Sequence, residues 1–375
     1  MRIAMVGELM EEGAGPVAEL SAALTAQGHE VTVYCRQEDR GAPREVVTAA
    51  GYRVVRTASG PDDQVTADAA VLTRALDAAW ARDRPDVLHT HSWTTVPAAA
   101  AAAAPRGIPT VHSFRPHPGS NGSAELEGVL TTTADRVTST CTAHVDVLVR
   151  AGMPRAHVSI VPDGVDADLF RPEGLAEPTG SRHRLVALDA RSPHAGVSTT
   201  IAALRALPDT ELVVAGDPTE ELREYADLLG VTDRVRFTGP LPYVALPALL
   251  RSADVAVCTP WHEPCQPGVL EAMACGVPVV ATTVGPLPDI VVDKVTGLLV
   301  PPHRPRDLAS ALRRLLAQSV TREQYGAAGR DRVEARFVWR RIAAEFVRVY
   351  QQAGATSPEG QVAAPAPRRP MQVVP

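Results

Sequence analysis

Apolar runs of strand length alternate with stretches of helical periodicity along most of the chain. Arg2 to Val6 is a short apolar run. A Gly-containing loop follows, then a helical pattern over Val17 to Gln27 that ends at Gly28, and Val31 to Tyr34 reads as the next strand. The alternation continues through helix Thr66 to Ala81, strand Val87 to Thr90, helix Thr94 to Ala104 and strand Ile108 to His112. Strand Arg136 to Thr140, helix Ala143 to Ala151 and strand Val158 to Val161 complete the first half. Strands alternating with helices predict a parallel sheet covered on both faces.

The pattern lapses where Pro172, Gly174, Pro178 and Gly180 crowd together, as in an interdomain linker. It then resumes with strands at Leu185 to Leu188, Glu211 to Ala215, Arg234 to Phe237, Val255 to Thr259, Val279 to Thr282 and Gly297 to Val300. Helical patterns at Thr199 to Ala206, Glu220 to Leu229 and Gly268 to Cys275 separate them, and three more run from Arg306 to about Gln352. The predicted fold class is α/β, with two doubly wound, Rossmann-like domains facing across a cleft. Residues 1–168 form the first domain, 169–182 the linker and 183–336 the second domain. Residues 337–354 form a helix that packs back on the first domain through Phe337, Trp339, Phe346 and Tyr350, and the proline-rich 355–375 is expected to be a disordered tail. Such sheets bind ligands beyond the carboxyl ends of their strands.

Composition narrows the function. The 375 residues are 45% hydrophobic and 21% charged, as in an ordinary globular protein. The net charge of −6, with four Trp, six Tyr and five Phe, leaves neither a basic surface nor stacking platforms for nucleic acid. No apolar stretch reaches the ~18 residues of a transmembrane span. Cys35, Cys141, Cys258, Cys265 and Cys275 are scattered without a CxxC pair, which reads as reduced thiols. The expectation is a cytoplasmic protein, with peripheral contact to a membrane left open.

The chemistry concentrates in Glu263-Pro-Cys-Gln-Pro-Gly-Val-Leu-Glu271-Ala-Met-Ala-Cys-Gly-Val-Pro278. A strand ends before Glu263, and Glu271 is expected in the first turn of the next helix, whose N-terminal amides favour an anion. Carboxylates beside an anion site suit the hydroxyls of a sugar or ribose. Alternatively, the two acids are a charge pair on a solvated helix face.

The segment resembles the family-four retaining glycosyltransferases of the GT-B fold, whose signature is two glutamates separated by seven residues. Thr296-Gly-Leu-Leu-Val-Pro301, Gly28-His29-Glu30-Val31, Asp86-Val-Leu-His-Thr-His91 and Gly164-Val165-Asp166 match in the right order, over roughly residues 1 to 350. The resemblance implies a nucleotide-sugar substrate, UDP- or GDP-linked, and an unidentified acceptor on the first-domain side. It implies no cofactor and no metal. Glu263 faces the donor sugar as the catalytic carboxylate, and Glu271 accepts from the ribose. Backbone amides of Cys265, Gln266, Gly268 and Val269 cradle the diphosphate or sugar. Gly13 and Gly15 bring the first-domain loop close to ligand, while His91 and Arg115 line the acceptor side.

Several positions depart from that pattern. Pro267 supplies no N–H. The family's Arg and Lys for the diphosphate correspond to Ala190 and Ala195, with Arg191 and His194 one residue out of register as substitutes; Lys294 is the only lysine in the chain. Each preorganised donor at such a site contributes ~2.7–4 kcal/mol to the rate. Two readings therefore stand: a retaining hexosyltransferase, or a catalytically impaired homologue that binds sugar nucleotide or regulates a partner glycosyltransferase. His89 with His91, and Asp166-Ala-Asp168, have metal-compatible spacings, but they read as cleft lining and as a hinge turn.

Overall fold

The computed structural model describes residues 1–7, 15–37, 43–57, 65–92, 94–115, 133–188, 195–262 and 267–356. The first sheet contains β1 (Arg2–Val6), β2 (Glu30–Arg36), β3 (Glu45–Val47), β4 (Arg53–Thr57), β5 (Val87–Thr90), β6 (Thr110–Phe114), β7 (Arg136–Ser139) and β8 (Val158–Ile160). Their order is β3-β4-β2-β1-β5-β6-β7-β8, parallel throughout except that β3 runs against β4. The second sheet contains β9 (His183–Leu188), β10 (Thr210–Ala215), β11 (Val235–Phe237), β12 (Val255–Cys258), β13 (Val279–Thr282) and β14 (Gly297–Val300). It is wholly parallel in the order β11-β10-β9-β12-β13-β14. Central strands such as β5 and β13 are buried along their whole length, as parallel strands covered on both faces must be.

Helices α1 (Pro16–Ala26), α2 (Val65–Trp80), α3 (Val96–Ala103) and α4 (Ala143–Arg150) belong to the first domain. The alanine run of α3 lets α2 approach closely enough for the Thr73 hydroxyl to donate to the Ala98 carbonyl at 3.2 Å. In the second domain, α5 (Val197–Ala203), α6 (Glu220–Leu228), α7 (Leu246–Arg251), α8 (Pro267–Ala274), α9 (Leu287–Ile290), α10 (Pro305–Leu316) and α11 (Ser319–Arg336) flank the sheet. The last helix, α12 (Trp339–Thr356), returns to the first domain and buries Ile342, Ala343, Phe346, Val349, Tyr350 and Ala353 in its core. Phe337 instead belongs to the second-domain core, so the chain changes sides within two residues.

The structure departs from the sequence reading in several places, among them the short helices α7 and α9, which the apolar pattern did not predict. Strands β3 and β4 fall where no strand was expected, because β3 is a three-residue edge strand and Arg53-Val-Val-Arg-Thr57 beside it mixes charge with a short apolar pair. Strand β6 begins two residues later than Ile108, and α12 extends two residues beyond 354. The remainder of the proline-rich end, 357–375, lies outside the described residues.

The return crossing runs beside the outgoing one. Val165 and Val338 form a parallel bridge, and the Val165 N–H donates to the Phe337 carbonyl at 2.8 Å. Gly164 lies directly under the Trp339 indole, where a Cβ would overlap the ring. The Arg330 guanidinium fastens the linker by donating to the carbonyls of Ala167 at 3.1 Å, Phe170 at 2.7 Å and Ala274 at 2.8 Å.

Candidate active site

In each sheet the winding reverses at one place, between β1 and β5 in the first and between β9 and β12 in the second. Loops leaving two such neighbours diverge to opposite faces and open a crevice at the carboxyl ends of the strands. The residues singled out from the sequence follow these four strands or their neighbours. Gly7 and His91, just past β1 and β5, nearly touch: a Cβ on Gly7 would lie 3.1 Å from the His91 Cβ. Gly196 and Thr259, past β9 and β12, are still closer, and Gly196 has φ +71°. A side chain there would overlap the Thr259 carbonyl.

The second-domain half is tied together across that switch point. The Thr259 hydroxyl donates to the Gly196 carbonyl at 2.9 Å, and the Trp261 indole N–H donates to the Thr199 hydroxyl at 3.0 Å. Trp261 also packs on the His303 ring, with centroids 4.6 Å apart. Ala195 rests against the core of this domain, so position 195 presents a methyl group rather than a cation. Gly268 and Val269 occupy the first turn of α8, where backbone N–H groups have no partner within the helix.

Glu271 is the fifth residue of α8, one residue deeper than the sequence suggested and just past the first turn, because the helix begins at Pro267. It is 3% exposed, surrounded by the buried Val269, Leu270, Ala272, Met273 and Ala274, so the solvated-face alternative fails for this residue. Burial raises its pKa from the ordinary carboxylate range to about 7, opposed by a hydrogen bond from the Tyr243 phenol. Its Oε1 is sealed from solvent and has no hydrogen-bond partner. A buried carboxyl oxygen without a donor costs ~1–3 kcal/mol, which an incoming hydroxyl would relieve. Tyr243 is itself half-buried and packs on Phe170, with centroids 5.2 Å apart. The sequence reading passed over Tyr243; its one signal was an aromatic residue, in a chain with few, just before α7.

The first-domain half is lined by imidazoles. His89 is fully buried, with Nδ1 2.8 Å from the Tyr350 hydroxyl of α12 and Nε2 2.8 Å from the Ser113 hydroxyl. His112 Nδ1 is 2.8 Å from the Thr90 hydroxyl. His91 packs against His89 with ring centroids 4.0 Å apart and the planes tilted by 41°, and its Nε2 is closed off from solvent without a hydrogen-bond partner. Burial, then the Arg115 charge, then His112 lower the His91 pKa to about 3; burial lowers His112 to about 3 as well.

Arg115 follows β6, and its guanidinium grips the Asp163 carboxylate with two hydrogen bonds, one of them 3.0 Å from Nη1 to Oδ2. Asp163 went unnoticed in the sequence, although it adjoins Gly164-Val165-Asp166. His91, Ser113, Arg115, Thr138, Asp163 and Trp339 surround a cavity of about 10 Å³, the size of one water. Asp166 caps a turn, its Oδ1 accepting the N–H groups of Asp168 at 2.9 Å and Leu169 at 3.0 Å. Gly15 has φ +105° immediately before α1. Gly13, Arg191, His194, Glu263, Cys265 and Gln266 lie outside the described residues.

Residues 179–332 match the family described as Glycosyl transferases group 1, and residues 13–164 match the Glycosyl transferase 4-like domain. The chain is 33% identical over 384 residues to the D-inositol 3-phosphate glycosyltransferase of Xylanimonas cellulosilytica, covering 90% of each protein. The chain belongs to the group 1 glycosyl transferases. This glycosyltransferase is also 28% identical over 373 residues to a glycogen synthase of Mycobacterium tuberculosis, covering 89% of each. Sucrose-phosphate synthase from Thermosynechococcus elongatus superposes with a TM-score of 0.81 at 24% identity, covering 95% of this chain and 100% of that one. Anabaena HepE in complex with UDP and glucose gives 0.76 at 18% identity, covering 94% and 100%. Those two likenesses establish the fold of the glycosyltransferase, the paired Rossmann-like domains of GT-B. Among its described residues no helix is long and apolar enough to cross a membrane.

Proposed function

We propose that this glycosyltransferase moves a hexosyl group from a UDP- or GDP-linked donor to an acceptor hydroxyl, with retention of anomeric configuration. The observation that supports the reading is Glu271, a buried carboxyl with one oxygen lacking a donor, on the helix that follows β12, a strand of the second sheet's switch point. A ribose diol supplies such a donor. Glu263, seven residues before it in the signature, is assigned to the hydroxyls of the transferred sugar. The names of the relatives support a nucleotide-sugar donor: HepE binds UDP and glucose, and the Xylanimonas enzyme is a glycosyltransferase.

In this reading the bond from the anomeric carbon to the diphosphate breaks through an oxocarbenium-like state. The acceptor oxygen bonds to that carbon on the face the diphosphate leaves, and its proton passes to a diphosphate oxygen. The protein contributes positioning and charge stabilisation. A second reading, a binding protein without turnover, draws on the methyl group that Ala195 presents beside the donor loop. Calorimetry with UDP and GDP, followed by product NMR with UDP- and GDP-hexoses, separates the two. Transfer that retains configuration and is lost in Glu263→Gln supports the enzyme, whereas tight nucleotide binding without turnover sinks it.

A further inference from the structure

Glu271 has two carboxyl oxygens, and the protein provides for only one of them. Oε1 is sealed from solvent without a hydrogen-bond partner, while the Tyr243 phenol bonds to the carboxyl. Among the described residues no cation offsets the burial of this group. Arg251 and Arg330 bear instead on the Cys275 thiol, one turn further along α8, which burial pushes up to about 12. Among the described residues, then, it is Tyr243 that favours the ionised form of Glu271.

The phenol is held where it is by the fold around it. Pro242 and Pro247 flank a single 3₁₀ turn, Tyr243–Ala245, closed by the Ala245 N–H donating to the Pro242 carbonyl at 2.8 Å. Within that turn Val244 faces solvent, 73% exposed, while Tyr243 packs inward on the core shared by α7 and α8. Its ring meets the Phe170 ring edge-on, with centroids 5.2 Å apart and planes at 67°. Phe170 is fully buried and anchored twice, its N–H donating to the Asp166 carbonyl at 2.9 Å and its carbonyl accepting from Arg330 at 2.7 Å. Burial first, then Glu271, and lastly the charges of Glu19 on α1 and Asp166 in the linker raise the Tyr243 pKa well above its ordinary 10. The phenol therefore keeps its proton, and it donates while the carboxylate accepts.

We propose that Tyr243 is a positioning residue for the nucleotide ribose: backed by Phe170, its phenol occupies one oxygen of Glu271 and leaves Oε1 as the acceptor for a ribose hydroxyl. The inference rests on the glycosyltransfer reading, in which Glu271 meets the ribose. Tyr243 acts through the carboxylate, by fixing its rotamer and keeping it ionised, and so matters only to a nucleotide that carries ribose hydroxyls.

The test is calorimetry on the full chain with UDP and GDP, each against its 2′,3′-dideoxy counterpart. The wild-type protein should bind the ribonucleotide about tenfold or more tightly than the dideoxy form. Tyr243→Phe keeps the ring on Phe170 and removes the hydroxyl. It should weaken the ribonucleotide about tenfold and leave the dideoxynucleotide unchanged. Added to Glu271→Gln, the same substitution should have no further effect. Wild-type affinity for the ribonucleotide should fall as pH drops below about 7, and in Tyr243→Phe the midpoint should rise by about one pH unit. Equal weakening of both nucleotide forms marks a structural role and overturns the proposal. So does an unchanged ribonucleotide affinity, a further loss on Glu271→Gln, or a wild-type protein that binds both forms alike. If Tyr243→Phe fails to fold, 3-fluorotyrosine placed at position 243 decides: its more acidic hydroxyl donates more strongly and should lower the pH midpoint, and an unmoved midpoint overturns the proposal. A wild-type protein that binds neither nucleotide in either form counts instead against the glycosyltransfer reading, which keeps the two failures apart.

Discussion

Thr142, at the start of α4 in the first domain, donates its backbone N–H to Oδ2 of Asp289 in the second domain at 2.6 Å. The Thr142 hydroxyl lies 3.2 Å from the other carboxylate oxygen. Asp289 is itself held in place, because Arg332 donates to the Asp289 and Ile290 carbonyls at 2.7 and 2.8 Å. The two domains are thus clasped by one carboxylate at the rim of the crevice.

Asp289→Ala should release that clasp. The two bonds are exposed and together contribute ~1–2 kcal/mol, so the population of opened molecules should rise about five- to thirtyfold. Small-angle scattering, or distances between spin labels on α4 and α9, should show a broader separation than in wild type. An unchanged distribution would remove Asp289 from any role in domain closure.

Glu271→Gln should raise stability while weakening nucleotide binding. The native carboxyl, with a pKa of about 7, holds its proton more tightly than the ordinary value of 4.5 in an unfolded chain. Wild-type stability is therefore full below pH 4.5 and falls as pH rises toward 7, where the buried group must ionise. The variant should melt above wild type at pH 8 and alongside it at pH 4.5, yet bind UDP about tenfold or more weakly. Melting curves at the two pH values and UDP calorimetry check both halves.

Acid should destabilise the first domain through its imidazoles. His91 and His112 have native pKa values of about 3, below the ordinary 6.5, so the unfolded chain binds more protons between those limits. Stability is complete above pH 6.5 and declines on acidification by ~1.4 kcal/mol per pH unit for each histidine that stays neutral. Urea midpoints from pH 7 to pH 4.5 measure the slope. A His112→Asn protein should show a shallower one.

Gly196→Ala should be among the most damaging substitutions of a small residue. A methyl at this position overlaps the Thr259 carbonyl, and φ +71° adds left-handed strain of ~1–2 kcal/mol. The expected loss is at least ~2 kcal/mol by urea unfolding. Gly230→Ala, at φ +65° with nothing within 4 Å, carries the strain without the collision and should cost visibly less.

The alternation of elements was plain in the sequence because apolar strand cores such as Val87 to Thr90 and Val279 to Thr282 are buried on both faces. Strand β4, between β2 and the edge strand β3, escaped, since Arg53 and Arg56 flank an apolar pair only two residues long. Spacing located Glu271, but only three-dimensional packing shows that it sits within the core under Tyr243. Likewise, Arg115 is visible as a charge, while the residue that neutralises it stands 48 positions away. A sequence lists charges; which of them face each other depends on strand order.

The two polypeptide crossings meet side by side at Val165 and Val338, and Arg330 staples the chain beyond Val165 to the second domain. A body attached by one strand can swivel in any direction. Attached by two adjacent strands, it swings about a single axis, like a door. Any motion that admits or releases a ligand is thereby confined to one arc, with the pivot at Gly164 beneath the Trp339 ring.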